Sequence, residues 1–255
     1  MYALPEHKLI SSQLSVIFDT FTKSETHIRP HFMLTGHTGT GKSHLIQFLA
    51  QERDLNFIEI NAAQLTAEGI SGNSLSKALS PLKNLQNAPV VVFVDEFDKI
   101  FVNSSDSTNA PSVSVQDEFL KVLEADSTSV FGDYGKYIEV NTSNVLYVFA
   151  GSFSNTPNIK STEDLKKLGV RSEFLGRVNL HYQLPSITQE SYLKVLENHK
   201  LLNQYLNLYP QFKKAKVVKA LTQDLLEQYP SNTIGLRLIS SLINRYFINS
   251  LTAAI

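Results

Sequence analysis

The stretch that decides the fold is Gly36-His37-Thr38-Gly39-Thr40-Gly41-Lys42-Ser43. It matches G-x-x-x-x-G-K-[ST], the pattern of the P-loop. In that loop, backbone N–H groups of a glycine-rich turn and of the helix that follows surround phosphate oxygens. Residues 32–35 before the stretch predict the end of a strand, and residues 44–50 after it predict an amphipathic helix. Because the motif requires this strand–loop–helix order, we interpret the stretch as a site for a nucleoside triphosphate.

Two side chains of the loop are expected to do the binding chemistry. Lys42 is expected to reach the β- and γ-phosphates, and the Ser43 hydroxyl is expected to bind Mg²⁺. The predicted nucleotide-binding residues of this region are Gly36, His37, Thr38, Gly39, Thr40, Gly41, Lys42, Ser43 and His44. ATP and Mg²⁺ are therefore the predicted cofactors.

A second phosphate motif is the apolar run Val91-Val92-Phe93-Val94, which ends in Asp95 and Glu96. In ATPases with a P-loop, an acid at this position holds Mg²⁺, and the next acid polarises the water that attacks the γ-phosphate, the Walker B pattern. We therefore predict Asp95 as a metal-binding residue together with Ser43, and Glu96 as a catalytic residue together with Lys42. This chemistry needs a fixed metal, an in-line water and charge compensation.

The composition excludes several classes of protein. The chain has 255 residues, 42% of them hydrophobic, which fits one large domain or two small ones. A net charge of −1 gives no global reason to expect nucleic acid or an anionic membrane as partner. There are no cysteines, which excludes disulfides and thiol chemistry. The first residues do not resemble a signal peptide, so a soluble cytoplasmic protein is the expectation.

The order of the elements predicts an α/β fold. We expect helices at residues 9–27, 74–85 and 115–124, strands at 56–60, 90–94, 136–140 and 145–149, and a loop at 103–114. Strands that alternate with helices around a P-loop indicate a doubly wound parallel sheet.

The pattern becomes all-helical after residue 185. Helices are expected at residues 191–206, 216–229 and 234–251, with Pro210 and Pro230 between them. The predicted domains are therefore an N-terminal helix and linker (1–30), a large α/β ATPase domain (31–185) and a small α-helical lid (186–255).

Further stretches resemble the AAA+ ATPases, and within them the ClpX/HslU unfoldase branch. The stretches and the family patterns that they resemble are Asp95 to Ile100 (DEIDKI), Gln116 to Glu124 (QxxLLKLIEG), Val145 to Phe153 (the strand before sensor 1), Gly169 to Arg177 (GLIPEFIGR) and Gly235 to Arg237 (the GxR of sensor 2). The matches run in the family's order from about residue 32 to about residue 250. Their order and spacing are more specific than any single motif.

The resemblance implies roles for two arginines. Arg177 is expected to be an arginine finger, a catalytic residue that reaches the γ-phosphate in the neighbouring subunit's site and contributes ~10³–10⁵ in rate in related systems. Arg237 is expected to contact the nucleotide of its own subunit and to couple its state to the angle between the domains. The alternatives are a surface salt bridge for Arg177 and a helix-capping or surface position for Arg237. For sensor 1 the candidates are Ser152 and, second, Asn155.

The resemblance also implies contacts with a polypeptide substrate. Residues 65–72 resemble LTEAGYVG, the family's pore loop, which makes Gly69, Ile70, Ser71 and Gly72 the candidate gripping residues. Ile70 stands where the family has a tyrosine, and it offers less contact area and no hydroxyl. The alternative is an ordinary loop with glycines for turning. Tyr134 is a candidate for a second contact, in a region that lacks the family's basic RKH loop.

Two features of the ClpX/HslU branch have no counterpart among these 255 residues. The sequence has no cysteine-rich zinc-binding domain, and the connection from Ser154 to Lys167 has no Ile-Gly-Phe loop of the kind that docks on a peptidase. We therefore expect no coupling to the family's peptidase.

The resemblance predicts an ATP-hydrolysing ring motor that remodels or unfolds a protein. The expected partners are further copies of the chain, in a ring expected to be a hexamer, and an unidentified protein substrate or adaptor. One alternative is an AAA+ ATPase that acts on nucleic-acid complexes, as helicase loaders and transposition ATPases do. Another is an ATP-dependent assembly switch that hydrolyses slowly.

Overall fold

The computed structural model of the chain describes residues 4–66, 73–85, 87–101, 110–153, 159 and 161–252, with the backbone alone for residues 110–114. Its strands are β1 (Phe32–Thr35), β2 (Asn56–Asn61), β3 (Val90–Asp95), β4 (Ser127–Phe131), β5 (Tyr137–Asn141), β6 (Val145–Gly151) and β7 (Leu180–Gln183). Its α-helices are α1 (Lys8–Lys23), α2 (Lys42–Gln51), α3 (Leu75–Ala78), α4 (Ala110–Glu124), α5 (Thr162–Lys167), α6 (Ser172–Arg177), α7 (Gln189–Glu197), α8 (Lys200–Leu208), α9 (Lys214–Gln228) and α10 (Arg237–Thr252).

Five of the strands form one parallel sheet in the order β2-β3-β6-β1-β7. The central strands β3 and β6 are buried almost throughout, as expected for strands covered on both faces. The predicted α/β fold with a doubly wound parallel sheet and a helical C-terminal part is confirmed. Because the strands are parallel, the carboxyl ends of β1, β3 and β6 lie at the same edge of the sheet, which is the edge where ligands bind in open α/β folds.

The described residues fall into two compact units. The sheet unit comprises residues 10–36 and 42–183, and the helical unit comprises the described residues of 1–9, 37–41 and 184–255. Residues 37–41 of the P-loop are assigned to the helical unit, and Gly36 and Lys42 are assigned to the sheet unit. Each unit has its own core of buried apolar side chains.

Aromatic side chains fill the core of the sheet unit next to the carboxyl end of β3. The ring of Phe97 lies 4.8 Å from that of Phe149, 5.1 Å from that of Phe174 and 5.8 Å from that of Phe119, measured between centroids. Such pairs contribute roughly 0.5–1.5 kcal/mol each beyond the area that they bury. The turn that follows Asp95 is thus anchored on a rigid base.

Two of the predicted helices are partly wrong, since residues that interrupt a helix were overlooked. In place of one helix over 74–85, α3 ends at Ala78 and a 3-10 turn covers Ser80–Asn84. Pro81 lacks the N–H that an α-helix would need there. In place of one helix over 191–206, α7 and α8 are separated at Asn198 and His199. The His199 side chain accepts the backbone N–H of Leu201 and so begins a new helix.

The region between β3 and β6 differs most from the prediction. Residues 110–114 were predicted as loop but belong to α4, whose second residue is Pro111. Proline is tolerated in the first turn because the N–H groups there have no intrahelical partner. The prediction also missed β4, which pairs antiparallel with β5 to form a separate hairpin. The rest of the predicted loop, residues 103–109, lies outside the described residues.

Among the helices of the described residues, none has both the length and the apolar character needed to span a membrane.

Candidate functional site

The first part of the site lies where β1 passes into α2. Gly36 follows the strand and is buried, and Lys42 begins the helix with only 9% of its surface exposed. The Lys42 ammonium donates a hydrogen bond of 2.7 Å to the Gly36 carbonyl oxygen. A buried ammonium at a helix N-terminus is an uncommon arrangement that suits an anionic ligand, because the helix N-terminus adds its own positive potential.

The second part joins α2 to the end of β3. The Ser43 hydroxyl donates to Asp95 Oδ2 at 3.4 Å, so the two oxygens predicted to bind the metal are neighbours. Hydroxyl and carboxylate oxygens are ligands that Mg²⁺ accepts, and it commonly takes one or two carboxylates together with phosphate oxygens. The residues present therefore fit the predicted cofactor. Within the described part of the chain, no group of three or more His, Cys, Asp or Glu side chains could hold a metal ion.

A second carboxylate, besides that of Asp95, lies near this pair and was missed by the sequence analysis. Glu59 is on β2, the neighbour of β3 on the side away from β6. Burial, and to a smaller extent the charge of Asp95, raises the pKa of Glu59 above its usual value. Two carboxylates close together create a negative potential that favours a cation. The signal that was missed is a charged residue between the apolar residues Ile58 and Ile60 of the predicted strand.

Glu96 lies in a strained turn directly after Asp95. It has a φ of 55°, and its side chain is exposed. Its N–H donates to Asp95 Oδ1 at 2.8 Å, and its carbonyl oxygen accepts the Lys99 N–H at 2.9 Å. A non-glycine residue in this region costs roughly 1–3 kcal/mol and is found mostly where function requires it. The chain thus turns sharply at the residue predicted to act on the attacking water.

Ser152 follows β6, which lies between β1 and β3 in the sheet. Its hydroxyl donates to Asp98 Oδ2 at 3.0 Å. The second sensor-1 candidate, Asn155, lies outside the described residues, as do Gly69, Ile70, Ser71 and Gly72 of the predicted pore loop.

Arg177 is the last residue of α6 and forms an ion pair. Its Nη2 and Nε lie 2.8 and 3.0 Å from Glu124 Oε1, and about half of each side chain is exposed. Exposed pairs of this kind contribute ~0–1 kcal/mol. The pair is the surface salt bridge that the sequence analysis gave as the alternative, and it is weak enough to be exchanged for a more negative partner.

The middle of the P-loop is held by backbone contacts within the helical unit. The N–H of Leu236 donates to the Gly39 carbonyl oxygen at 3.0 Å. A Cβ atom on Gly39, which has a φ of +72°, would lie 2.3 Å from the Ile234 carbonyl oxygen. A Cβ on Gly235 would lie 2.4 Å from the Thr38 carbonyl oxygen. Both glycines are therefore required for this approach.

The remaining predicted residues of this turn lie as follows. Thr40 is buried, and its hydroxyl donates to the His37 carbonyl oxygen at 2.9 Å, which closes the turn. His37 and His44 are exposed. Arg237 is exposed and begins α10, one residue after the Leu236 N–H that contacts the loop. Arg237 is thus placed by the same backbone contact that holds Gly39.

A contact from the N-terminal segment was not foreseen. The Glu6 carboxylate accepts the N–H and the hydroxyl of Thr188 and the hydroxyl of Ser191, at 2.8, 2.5 and 2.9 Å. Burial alone would raise the pKa of Glu6, but these hydrogen bonds outweigh it and lower the pKa to about 2. The next residue, His7, is buried beside Gly41, with 3.9 Å between His7 Cε1 and a Cβ placed on that glycine. Glu6 thus ties the N-terminal segment to the start of α7.

Comparison with known proteins found a matching family and related sequences. The family model described as "ATPase family associated with various cellular activities (AAA)" matches residues 32–182. In an alignment 254 residues long, the chain is 27% identical to the ATP-dependent Clp protease ATP-binding subunit ClpX of Borrelia duttonii (strain Ly). The alignment covers 81% of this chain and 58% of that protein. In an alignment 281 residues long, the chain is 26% identical to the protein of the same name from Treponema denticola. This alignment covers 89% of this chain and 66% of that protein. The chain thus spans about three fifths of the length of the relatives that it matches.

Proposed function

Since the chain belongs to the AAA family of ATPases, we propose that it binds Mg²⁺–ATP at the P-loop, hydrolyses it, and uses the energy to remodel or unfold a protein partner. The observation that carries this proposal is the grouping of Lys42, Ser43, Asp95 and Glu96 around the carboxyl ends of β1 and β3. That edge of a parallel sheet, together with a helix N-terminus, is where phosphates bind in P-loop proteins.

Each of the four side chains has a role that its position supports. Lys42 holds the phosphates, and Ser43 and Asp95 hold the metal. ATP supplies the phosphoryl group, and the bound metal neutralises the charge that develops during its transfer. Glu96 polarises and orients the attacking water, and its exposed side chain beside Asp95 leaves it accessible to that water. The protein's contribution is position and charge rather than covalent chemistry.

The proposed assembly is a homo-oligomeric ring, expected to be a hexamer. Arg177 supports it, because a finger that acts on a neighbour must be exposed and easily released from its resting partner. Its half-exposed pair with Glu124 meets both conditions. Arg237 is proposed to contact the nucleotide of its own subunit, next to the P-loop contact made by Leu236.

The proposed substrate is a polypeptide. The proposal is supported by the similarity to relatives named as ATP-binding subunits of the Clp protease. Gly69, Ile70, Ser71 and Gly72 are proposed to grip it. Tyr134, which is 99% exposed at the tip of the β4–β5 hairpin, is proposed as a second contact. Because residues 154–167 contain no Ile-Gly-Phe tripeptide, the proposal does not include docking on a peptidase.

ATP turnover tests the proposal when it is measured with and without added macromolecules. We expect turnover that depends on Mg²⁺ and rises severalfold with an unfolded protein such as permanently denatured casein, and no comparable rise with single- or double-stranded DNA. Glu96→Gln should abolish turnover and retain ATP binding, because the amide cannot polarise water as a carboxylate does. Stimulation by DNA alone would favour the nucleic-acid alternative. Unchanged turnover in Glu96→Gln would refute the assigned site.

A further inference from the structure

A buried carboxylate outside the proposed binding groups joins the ends of β3 and β6. Asp98 is 6% exposed and lies in the 3-10 turn Phe97–Phe101, two residues after Glu96. Its Oδ1 accepts the Ser152 N–H at 3.2 Å. Its Oδ2 accepts the Ser152 hydroxyl at 3.0 Å and the Phe153 N–H at 3.2 Å. Hydrogen bonds to an ionised acceptor are roughly twice as strong as neutral ones, so three of them fix this junction.

The chain at the end of β6 is shaped around this carboxylate. A Cβ atom on Gly151 would lie 2.8 Å from Asp98 Oδ1 and 3.0 Å from the Asp98 backbone nitrogen. Any other residue at position 151 would push the two segments apart. Phe153 has a φ of 45°, an uncommon value for a residue other than glycine, and its N–H donates to the same carboxylate. Two strained residues, Glu96 and Phe153, thus lie on either side of one buried acid.

The turn that carries Glu96 is held from the other side as well. Phe97 is fully buried among aromatic rings of the core. The Lys99 ammonium lies 3.4 Å from Asp98 Oδ2 and is partly exposed, so it offsets the charge of the buried acid from the surface. Glu96 therefore projects from a turn whose next two side chains are both fixed.

We propose that Asp98 is a positioning residue for ATP hydrolysis, which ties Ser152 at the end of β6 to the turn that carries Glu96. The two segments then move as one piece, and Glu96 keeps its position relative to the neighbouring strand end. This inference rests on the proposed role of Glu96. Geometry of this kind matters because a displacement of ~1 Å can cost ~10²-fold in rate.

Asp98→Asn in the full chain tests the proposal. The amide keeps the shape but has no charge, and its NH₂ group would face an N–H donor. We expect kcat for ATP to fall ~10- to ~100-fold, while the affinity for a fluorescent, non-hydrolysable ATP analogue with Mg²⁺ changes less than ~3-fold. The matched control is Asp126→Asn, the same change at an exposed carboxylate that pairs with Arg29, which should leave both values near those of the wild type. An unchanged kcat in Asp98→Asn, or an equal loss of kcat and affinity as expected for a merely structural role, would overturn the proposal.

Ser152→Ala gives a milder test in case Asp98→Asn folds poorly. It removes one donor and leaves the carboxylate with its two backbone partners. We expect a fall in kcat of ~3-fold, and little further loss when Ser152→Ala is added to Asp98→Asn, because both changes break the same junction. Independent, multiplicative losses would contradict the proposal.

Amide hydrogen exchange separates this inference from the proposed function, since it requires no turnover. Peptides that contain residues 95–99 and 151–153 should both exchange ~10-fold faster in Asp98→Asn than in wild type or Asp126→Asn. If the wild type hydrolyses no ATP, the proposed function fails, and the exchange result still decides whether Asp98 holds the two segments together. Exchange that stays unchanged in either segment would refute the junction.

Discussion

The P-loop is held in two different ways in the two units of the molecule. In the sheet unit, polar side chains hold its ends: the Lys42 ammonium bonds to Gly36, and the Ser43 hydroxyl bonds to Asp95. In the helical unit, backbone holds its middle: Gly39 accepts the Leu236 N–H, and Gly235 lies against Thr38. The first arrangement depends on polar side chains. The second depends on the absence of a Cβ atom at Gly39 and at Gly235. Substitutions should therefore affect the two regions through different properties.

Lys42→Ala tests the side-chain arrangement and should have the largest effect. It removes the buried charge that is proposed to hold the phosphates, and loss of one group that stabilises charge in a transition state costs ~10²–10³ in rate. We expect kcat/KM for ATP to fall by that factor, measured in a steady-state assay with the full chain. Lys216→Ala, at an exposed position of α9, is the control and should change kcat/KM by less than ~2-fold. A Lys42→Ala variant with near-normal kcat/KM would remove the main support for the side-chain arrangement.

Gly39→Ala tests the backbone arrangement. The new Cβ would meet the Ile234 carbonyl oxygen and would sit at a positive φ, which together should cost about 2–3 kcal/mol. The melting temperature and the affinity for a fluorescent ATP analogue should both fall.

Gly135→Ala is the matched control for the steric part of that effect. Gly135 has a φ of +74°, almost that of Gly39, but among the described residues no atom beyond its chain neighbours lies within 4 Å of its added Cβ. It should therefore show the backbone strain alone, about 1 kcal/mol. Equal losses in the two variants would mean that the contact with residues 234–236 contributes nothing.

The pH dependence of stability should differ between the two units. In the sheet unit, His31 Nδ1 accepts the Tyr147 N–H, and burial, with a smaller effect of the Arg29 charge, lowers the His31 pKa from 6.5 to about 3. Because the folded state favours the neutral imidazole, the contribution of His31 to the free energy of unfolding is complete above pH 6.5 and is lost as the pH falls towards 3. The free energy of unfolding should fall by up to about 1.4 kcal/mol for each pH unit in this range. Denaturant unfolding of the wild type and of His31→Asn, which keeps an acceptor but does not titrate, should diverge between pH 6.5 and pH 5. If the free energies of unfolding of the wild type and of His31→Asn depended on pH in the same way, the role of His31 would be contradicted.

Glu6 gives the smallest effect and a separate pH range in the helical unit. Its pKa is lowered from 4.5 to about 2, so its contribution is complete above pH 4.5 and is lost as the pH falls towards 2. Glu6→Gln should cost about 1 kcal/mol at neutral pH, the usual value of a helix cap. It should leave the divergence between pH 6.5 and pH 5 unchanged. If Glu6→Gln changed the divergence between pH 6.5 and pH 5, the two pH ranges would not belong to separate groups, and this assignment would be contradicted.

The sequence predicted best what depends on side-chain type. The alternation of strands and helices around the glycine-rich stretch predicted the parallel sheet, and the two motifs assigned Ser43 and Asp95 to one metal site, where their side chains are neighbours. Each of these features follows from local periodicity or from a motif with fixed spacing.

Long-range contacts that involve backbone or unremarkable polar residues were not predictable. The fit of Gly39 against Gly235 joins residues almost 200 positions apart, and nothing in either glycine indicates its partner. The three donors on Asp98 and the cap formed by Glu6 on α7 depend on tertiary placement in the same way. The strand β5 was predicted, but β4 was missed, and with it the hairpin that the two form, because a short and half-polar strand gives a weak signal beside a strongly apolar one such as β6.

A mixing experiment tests the proposed shared active site most directly. Glu96→Gln retains Arg177 but cannot activate water, and Arg177→Ala retains Glu96 but lacks the finger. Each variant alone should show at most ~1% of wild-type turnover. Co-assembled from equal amounts, they should recover a substantial part of it, because some sites would then combine an intact Glu96 with an intact Arg177 from the neighbour. A mixture that forms oligomers of both variants yet is no more active than either alone would contradict the shared site.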